Sequence, residues 1–123
     1  MDEEQLREWE ALTKPSSCRL VDFDQAQIVT LRSFPPQYVL HVSGIKPYLN
    51  MQVDLVPLVY IQQPEYWGIE VVGCLPGGIG LPATAPYTAW INLSAITGTE
   101  GIEVIGATRS EKLEVPPKGE PSY

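Results

Sequence analysis

His41 is the one imidazole in this chain, and that count limits the chemistry its side chains can perform. Zinc hydrolase and blue-copper centres draw on two or more imidazoles, so both are excluded by number. His41 could still ligate a metal with carboxylates. Within Tyr38-Val39-Leu40-His41-Val42-Ser43, however, it falls on the face opposite Tyr38, Leu40 and Val42, which suits a half-exposed strand position. A serine triad would have His41 as its sole base, and no Gly-x-Ser-x-Gly elbow is present.

Cys18 and Cys74 lie far apart and outside any Cys-x-x-Cys motif. In a reducing cytoplasm they are expected to be buried thiols, and in an oxidising compartment they could bridge if the fold brings them together. A Cys74–His41 nucleophilic pair would need an accessible thiol in an electropositive setting, which the neighbouring residues do not supply. The cysteines also miss the immunoglobulin spacing. Thr30 stands where the core tryptophan would be, and Val72 where a tyrosine would precede the second cysteine.

Leu75-Pro76-Gly77-Gly78-Ile79-Gly80-Leu81-Pro82 has the glycines of a phosphate loop but neither its Lys-Ser/Thr ending nor a helix pattern after it. No two carboxylates have a spacing that implies acid–base work. Nothing here calls for a metal or a cofactor, and no catalytic set emerges. The residues left for recognition are aromatic and apolar. Tyr48 and Tyr66 fall in loops or at strand starts, Trp67 follows Tyr66, and the 75–86 connection is long enough to bind something.

The elements that would position these residues are mostly extended. Leu6, Trp9 and Leu12 recur at helical spacing between a capping Asp2 and a terminating Pro15, which predicts a short amphipathic helix over 2–14. That stripe must dock, either on its own domain or on a partner. From Ser17 onward the period changes to two. Strands are predicted at 18–22, 26–32, 38–45, 51–61, 66–75, 87–96 and 101–108, with a further candidate at 112–115. Pro57 should place the 51–61 strand at an edge, bulge it or split it. Gly68-Ile69-Glu70-Val71-Val72-Gly73 nearly repeats as Gly101-Ile102-Glu103-Val104-Ile105-Gly106, and Glu70 and Glu103 would be neighbours only if the two strands pair.

The expectation is therefore a mainly β chain. It would be a single-domain β-sandwich or small barrel of about seven strands over 16–115, with the helix (1–15) before it and a flexible proline-rich tail (116–123) after it. Net charge is −7, and the eight Lys and Arg residues are scattered, which disfavours nucleic acid and anionic lipid. No apolar stretch reaches membrane-span length. The acidic opening Met1-Asp2-Glu3-Glu4 is unlike a signal peptide, so a cytoplasmic location is expected, with secretion open only if a leader was removed. The functional expectation is a non-catalytic module that binds another protein or self-associates, using Tyr48, Tyr66, Trp67, Leu6, Trp9 and Leu12. The competing expectation is a carbohydrate or small-ligand site formed by Tyr66, Trp67 and the 75–86 loop.

Overall fold

The computed structural model describes residues 16–116. The helix expected over 2–14, with Leu6, Trp9 and Leu12, lies outside the described residues, as does the tail beyond Pro116. The described chain is mainly β. Its eight strands are β1 (Ser16–Leu20), β2 (Gln25–Leu31), β3 (Gln37–Lys46), β4 (Gln52–Pro57), β5 (Tyr66–Pro76), β6 (Ala85–Asn92), β7 (Gly101–Ile105) and β8 (Ser110–Glu114). The segment over 112–115 is thus a true strand, one more than the core expectation. Pro57 closes β4, which pairs only with β5 and so forms a sheet margin, as a residue without an amide donor requires.

Two sheets result. One holds β1, β4, β5, β7 and β8, and the other has the order β2-β3-β6. In the larger sheet β5 is the organiser. Residues 72–74 of β5 pair with both β1 and β4, and residues 69–70 pair with both β4 and β7. A strand has two edges, so β4 takes one while β1 and β7 share the other end to end.

The near-repeat now has a physical meaning, because β5 and β7 are adjacent and parallel, with Ile69 opposite Val104 and Gly68 opposite Glu103. The paired register is shifted by two residues from the sequence echo. A shift of two preserves the facing of every side chain. Ile69, Val71, Ile102 and Val104 therefore all point inward and are fully buried. Glu70 and Glu103 share the outer face but lie on a diagonal, and Glu103 Oε2 accepts a hydrogen bond from Ser110 Oγ at 3.1 Å.

Both sheets contribute to one core. Leu40, Val42, Tyr87 and Ala89 from the smaller sheet cluster with Leu55, Ile69, Val71, Ile102 and Val104 from the larger. Gly73 points into the same interior, where a Cβ would collide with Val21 and Met51. A side chain there would have to displace core atoms.

Cys18 and Cys74 are not buried thiols. They form a disulfide, with the Cα atoms 4.1 Å apart. The ladder explains why they meet. Val21 N donates to Val71 O, so alternation makes Arg19↔Gly73 a hydrogen-bonded pair and Cys18↔Cys74 a non-hydrogen-bonded one. Facing Cα atoms approach closest at such pairs. The bridge lies on the outer face, with Cys18 exposed. It also removes the thiol that a Cys74–His41 pair would have used.

Candidate functional site

Most connections divide between two ends of the fold. Loops 47–51 and 77–84 gather where β5 ends at Pro76, and loops 32–36, 58–65 and 93–100 gather where it begins at Tyr66, while 106–109 follows Ile105, level with Glu70, and meets Asp22 and Phe23 partway along the strand. This arrangement decides the fate of the sequence-derived candidates. Tyr66 and Trp67 open β5, and the 75–86 loop follows its far end. The strand between them is unbroken, which separates them by roughly 30 Å at the usual rise per residue. The fold does not bring Tyr66, Trp67 and that loop into one site.

Each candidate has a local role. Trp67 packs against the core, donates Nε1–H to Leu58 O at 2.9 Å and meets the Tyr60 ring edge-on at 5.1 Å. Tyr66 is half-buried beneath the Lys112 ammonium, 5.0 Å from its ring centre. Tyr48 is joined to the 75–86 loop. Its ring lies where a Cβ on Gly80 would stand, so only glycine permits the contact. Asn50 fastens the same loop, accepting from Leu81 N at 2.9 Å and donating to Ile79 O at 2.7 Å. These aromatics hold structure together.

Two aromatics are mostly exposed among the described residues: Phe34, in the 32–36 loop, and Trp90, which a strand sets on the outside of the three-stranded sheet. β6 places Tyr87 and Ala89 inward and Trp90 outward, and 70% of Trp90 is exposed. Directly across stands His41, with Gln27 beyond it on β2. The next row toward the Tyr66 end is Asn92, Val39 and Val29, then Gln37 and Leu31. The row on the other side is Thr88, Ser43 and Gln25, followed by Pro86 and Ile45. This face carries no Asp, Glu, Lys or Arg, and its apolar side chains are Trp90, Val29, Leu31, Val39 and Ile45. Its signal was present in the sequence, since Trp90 and Asn92 alternate with Ile91 and Leu93. Loop position singles out Tyr48 and Tyr66 instead.

A buried tyrosine fixes this sheet from behind. Tyr87 is 7% exposed, and its hydroxyl donates to Asp22 O at 2.7 Å. Burial, reinforced by the nearby Asp24 and Asp22 carboxylates, pushes its phenol up to about 12. An unfolded tyrosine ionises near pH 10. The folded state therefore holds a proton that the unfolded state releases between those values, and stability must fall as pH rises through this window. Tyr87→Phe removes that linkage. The variant should lose about 1 kcal/mol at neutral pH from the missing hydrogen bond. Urea denaturation from pH 9 to 12 should then show an alkaline decline shallower than wild type by about 2 kcal/mol. Parallel declines in the two proteins would contradict the assignment.

No three His, Cys, Asp or Glu side chains come together as a cation site among the described residues, and no helix there is long and apolar enough to cross a membrane. Comparison with known protein families, curated proteins and solved structures returns no match to this chain.

Proposed function

We propose that this chain is a non-catalytic β-sandwich module that binds another protein, or a second copy of itself, through the outer face of β2, β3 and β6. The observation that carries this reading is Trp90, 70% exposed on the same sheet face as Val29, Val39 and Leu31. A tryptophan left in water on a rigid sheet costs little conformational entropy to bury, and such residues dominate the energetics of protein interfaces. The margin of the same sheet adds to the case. β2 runs Gln-Ala-Gln-Ile-Val-Thr-Leu, with no charge and no proline to deter strand addition.

The competing ligand reading has less support, because Tyr66 and Trp67 stand at the opposite end from the 75–86 loop and, among the described strands, β2, β3 and β6 present one aromatic, Trp90, on their outer face. The Cys18–Cys74 bridge weighs on location. Such bonds persist in oxidising compartments, so we place the working protein there in preference to the cytoplasm.

Trp90→Ala is the direct test. The side chain is mostly solvated, so the unfolding midpoint should stay within about 0.5 kcal/mol of wild type. Capture of host proteins on the immobilised chain, together with native mass spectrometry for self-association, should show binding weakened by about tenfold or more. Equal capture and equal association by wild type and variant would remove the reading.

A further inference from the structure

β2 is one margin of the three-stranded sheet, and among the described residues no strand pairs with its far side. Alternation fixes what that side presents. Leu93 N donates to Tyr38 O, so even-numbered residues of β3 bond to β6 and odd-numbered ones to β2. Val39↔Val29 and His41↔Gln27 are then hydrogen-bonded pairs, and Ala26 and Ile28 turn their backbone N–H and C=O groups outward. Such an open ladder is a template for another strand.

The other strands that pair on one side only are guarded. β1 carries Arg19, β4 Asp54, β6 Pro86 and β8 Lys112, each a charge or a proline of the kind that deters strand addition. β2 has neither between Gln25 and Leu31. Its charges stand at the two ends, Asp24 just before the strand and Arg32 just after it, both exposed, with Ile28 midway between them. We infer that two copies of this chain join β2 to β2, antiparallel about a two-fold axis at Ile28, so that their three-stranded sheets become one continuous sheet. This extends the reading above from the sheet's face to its margin and names the occupant.

Charge selects a second copy over a foreign strand. In this register Asp24 stands opposite the partner's Arg32, and Arg32 opposite the partner's Asp24, so symmetry alone supplies both opposite charges. Asp24 N donates to Ser43 O at 2.9 Å, which holds that residue against β3. Arg109 donates to the backbone carbonyls of Phe23 and Asp24, at 3.1 Å each, and neither the Asp24 carboxylate nor the Arg32 guanidinium forms an ion pair among the described residues. Between the charges, Ile28 meets the partner's Ile28 and Gln27 meets the partner's Val29. Even residues face even ones, so the outward side chains of both copies keep to one face. The contact uses both open margins and therefore closes at a dimer.

Sedimentation of the chain across a concentration series, with hydrogen exchange at the same concentrations, tests the assignment. A monomer–dimer equilibrium is expected, and the Ala26 and Ile28 amides should exchange more slowly as the dimer fills. Asp24→Lys or Arg32→Glu alone sets like charges together twice, so each variant should dimerise about tenfold or more weakly. An equimolar mixture of the two should regain wild-type association, because every opposed pair again joins opposite charges. That recovery also shows that both variants fold. β3 separates Trp90 from this margin, so Trp90→Ala should leave the dimer in place and act on capture of other proteins. A monomer at every concentration up to about 1 mM overturns the inference. So does a dimer that ignores both single reversals, or a mixture that stays monomeric. Dimerisation lost in Trp90→Ala and kept by the charge variants would seat the second copy on the outer face, which ends this inference and leaves the reading above standing. Host-protein capture indifferent to Trp90→Ala, with the margin dimer intact, does the reverse. Slowing at Ala26 and Ile28 that requires another protein would make a foreign strand the occupant and end the inference too.

Discussion

Replacing both Cys18 and Cys74 with serine is expected to lower the unfolding free energy by roughly 2–4 kcal/mol, read from urea midpoints at constant slope. The bridge closes a loop of 56 residues, and restricting so long a loop removes much of the unfolded chain's freedom. The position adds to the effect. β1 is a five-residue strand that pairs only with β5, and the chain just after it carries Val21 and Phe23 into the core. Loosening β1 therefore loosens two buried side chains. A reducing agent should reproduce the loss in wild type and leave the serine variant unchanged. Equal midpoints in oxidised, reduced and variant protein would show that the bridge contributes nothing.

The second large effect concerns the parallel pair. Ile69→Ala should cost about 2–5 kcal/mol, because a fully buried side chain would leave a cavity that the surrounding sheet cannot fill. Val104→Ala should cost somewhat less. Ile69 and Val104 are direct partners across β5 and β7, so the double variant should depart from additivity by about 0.5 kcal/mol or more. Strict additivity, or a change under about 1 kcal/mol for Ile69→Ala, would mean that these strands do not pair in this register.

Much of the architecture was legible because strand periodicity is local. Tyr38, Leu40 and Val42 alternate with Val39, His41 and Ser43, and the structure puts the first set toward the core and the second outward. Pro57 announced an edge, a bulge or a split strand because an imino nitrogen cannot donate, and the structure ends β4 there at a sheet margin. The near-repeat announced two similarly buried strands but not that they lie side by side, since their relative placement depends on a long connection. The disulfide was out of reach for the same reason: Cys18 meets Cys74 through a register set by the whole sheet.

The candidate site was only partly read. The length of the 66–75 strand already implied that Tyr66 and Trp67 stand far from the 75–86 loop. Trp90 could have been found by applying the strand alternation to the aromatics. The exposed Val59 and Ile61 gave no such signal, because they lie in a connection where periodicity no longer applies.

Site-directed photo-crosslinking in the living host tests most directly whether the outer face of β2, β3 and β6 docks a partner. A benzophenone amino acid would replace Trp90 in one variant and exposed Asp54, on β4 of the other sheet, in a second. Discrete crosslinked species are expected from position 90, to a partner or to a second copy, that are absent from position 54 and lost when Val39→Asp is added. Identical products from both positions, or none from position 90, would contradict that docking.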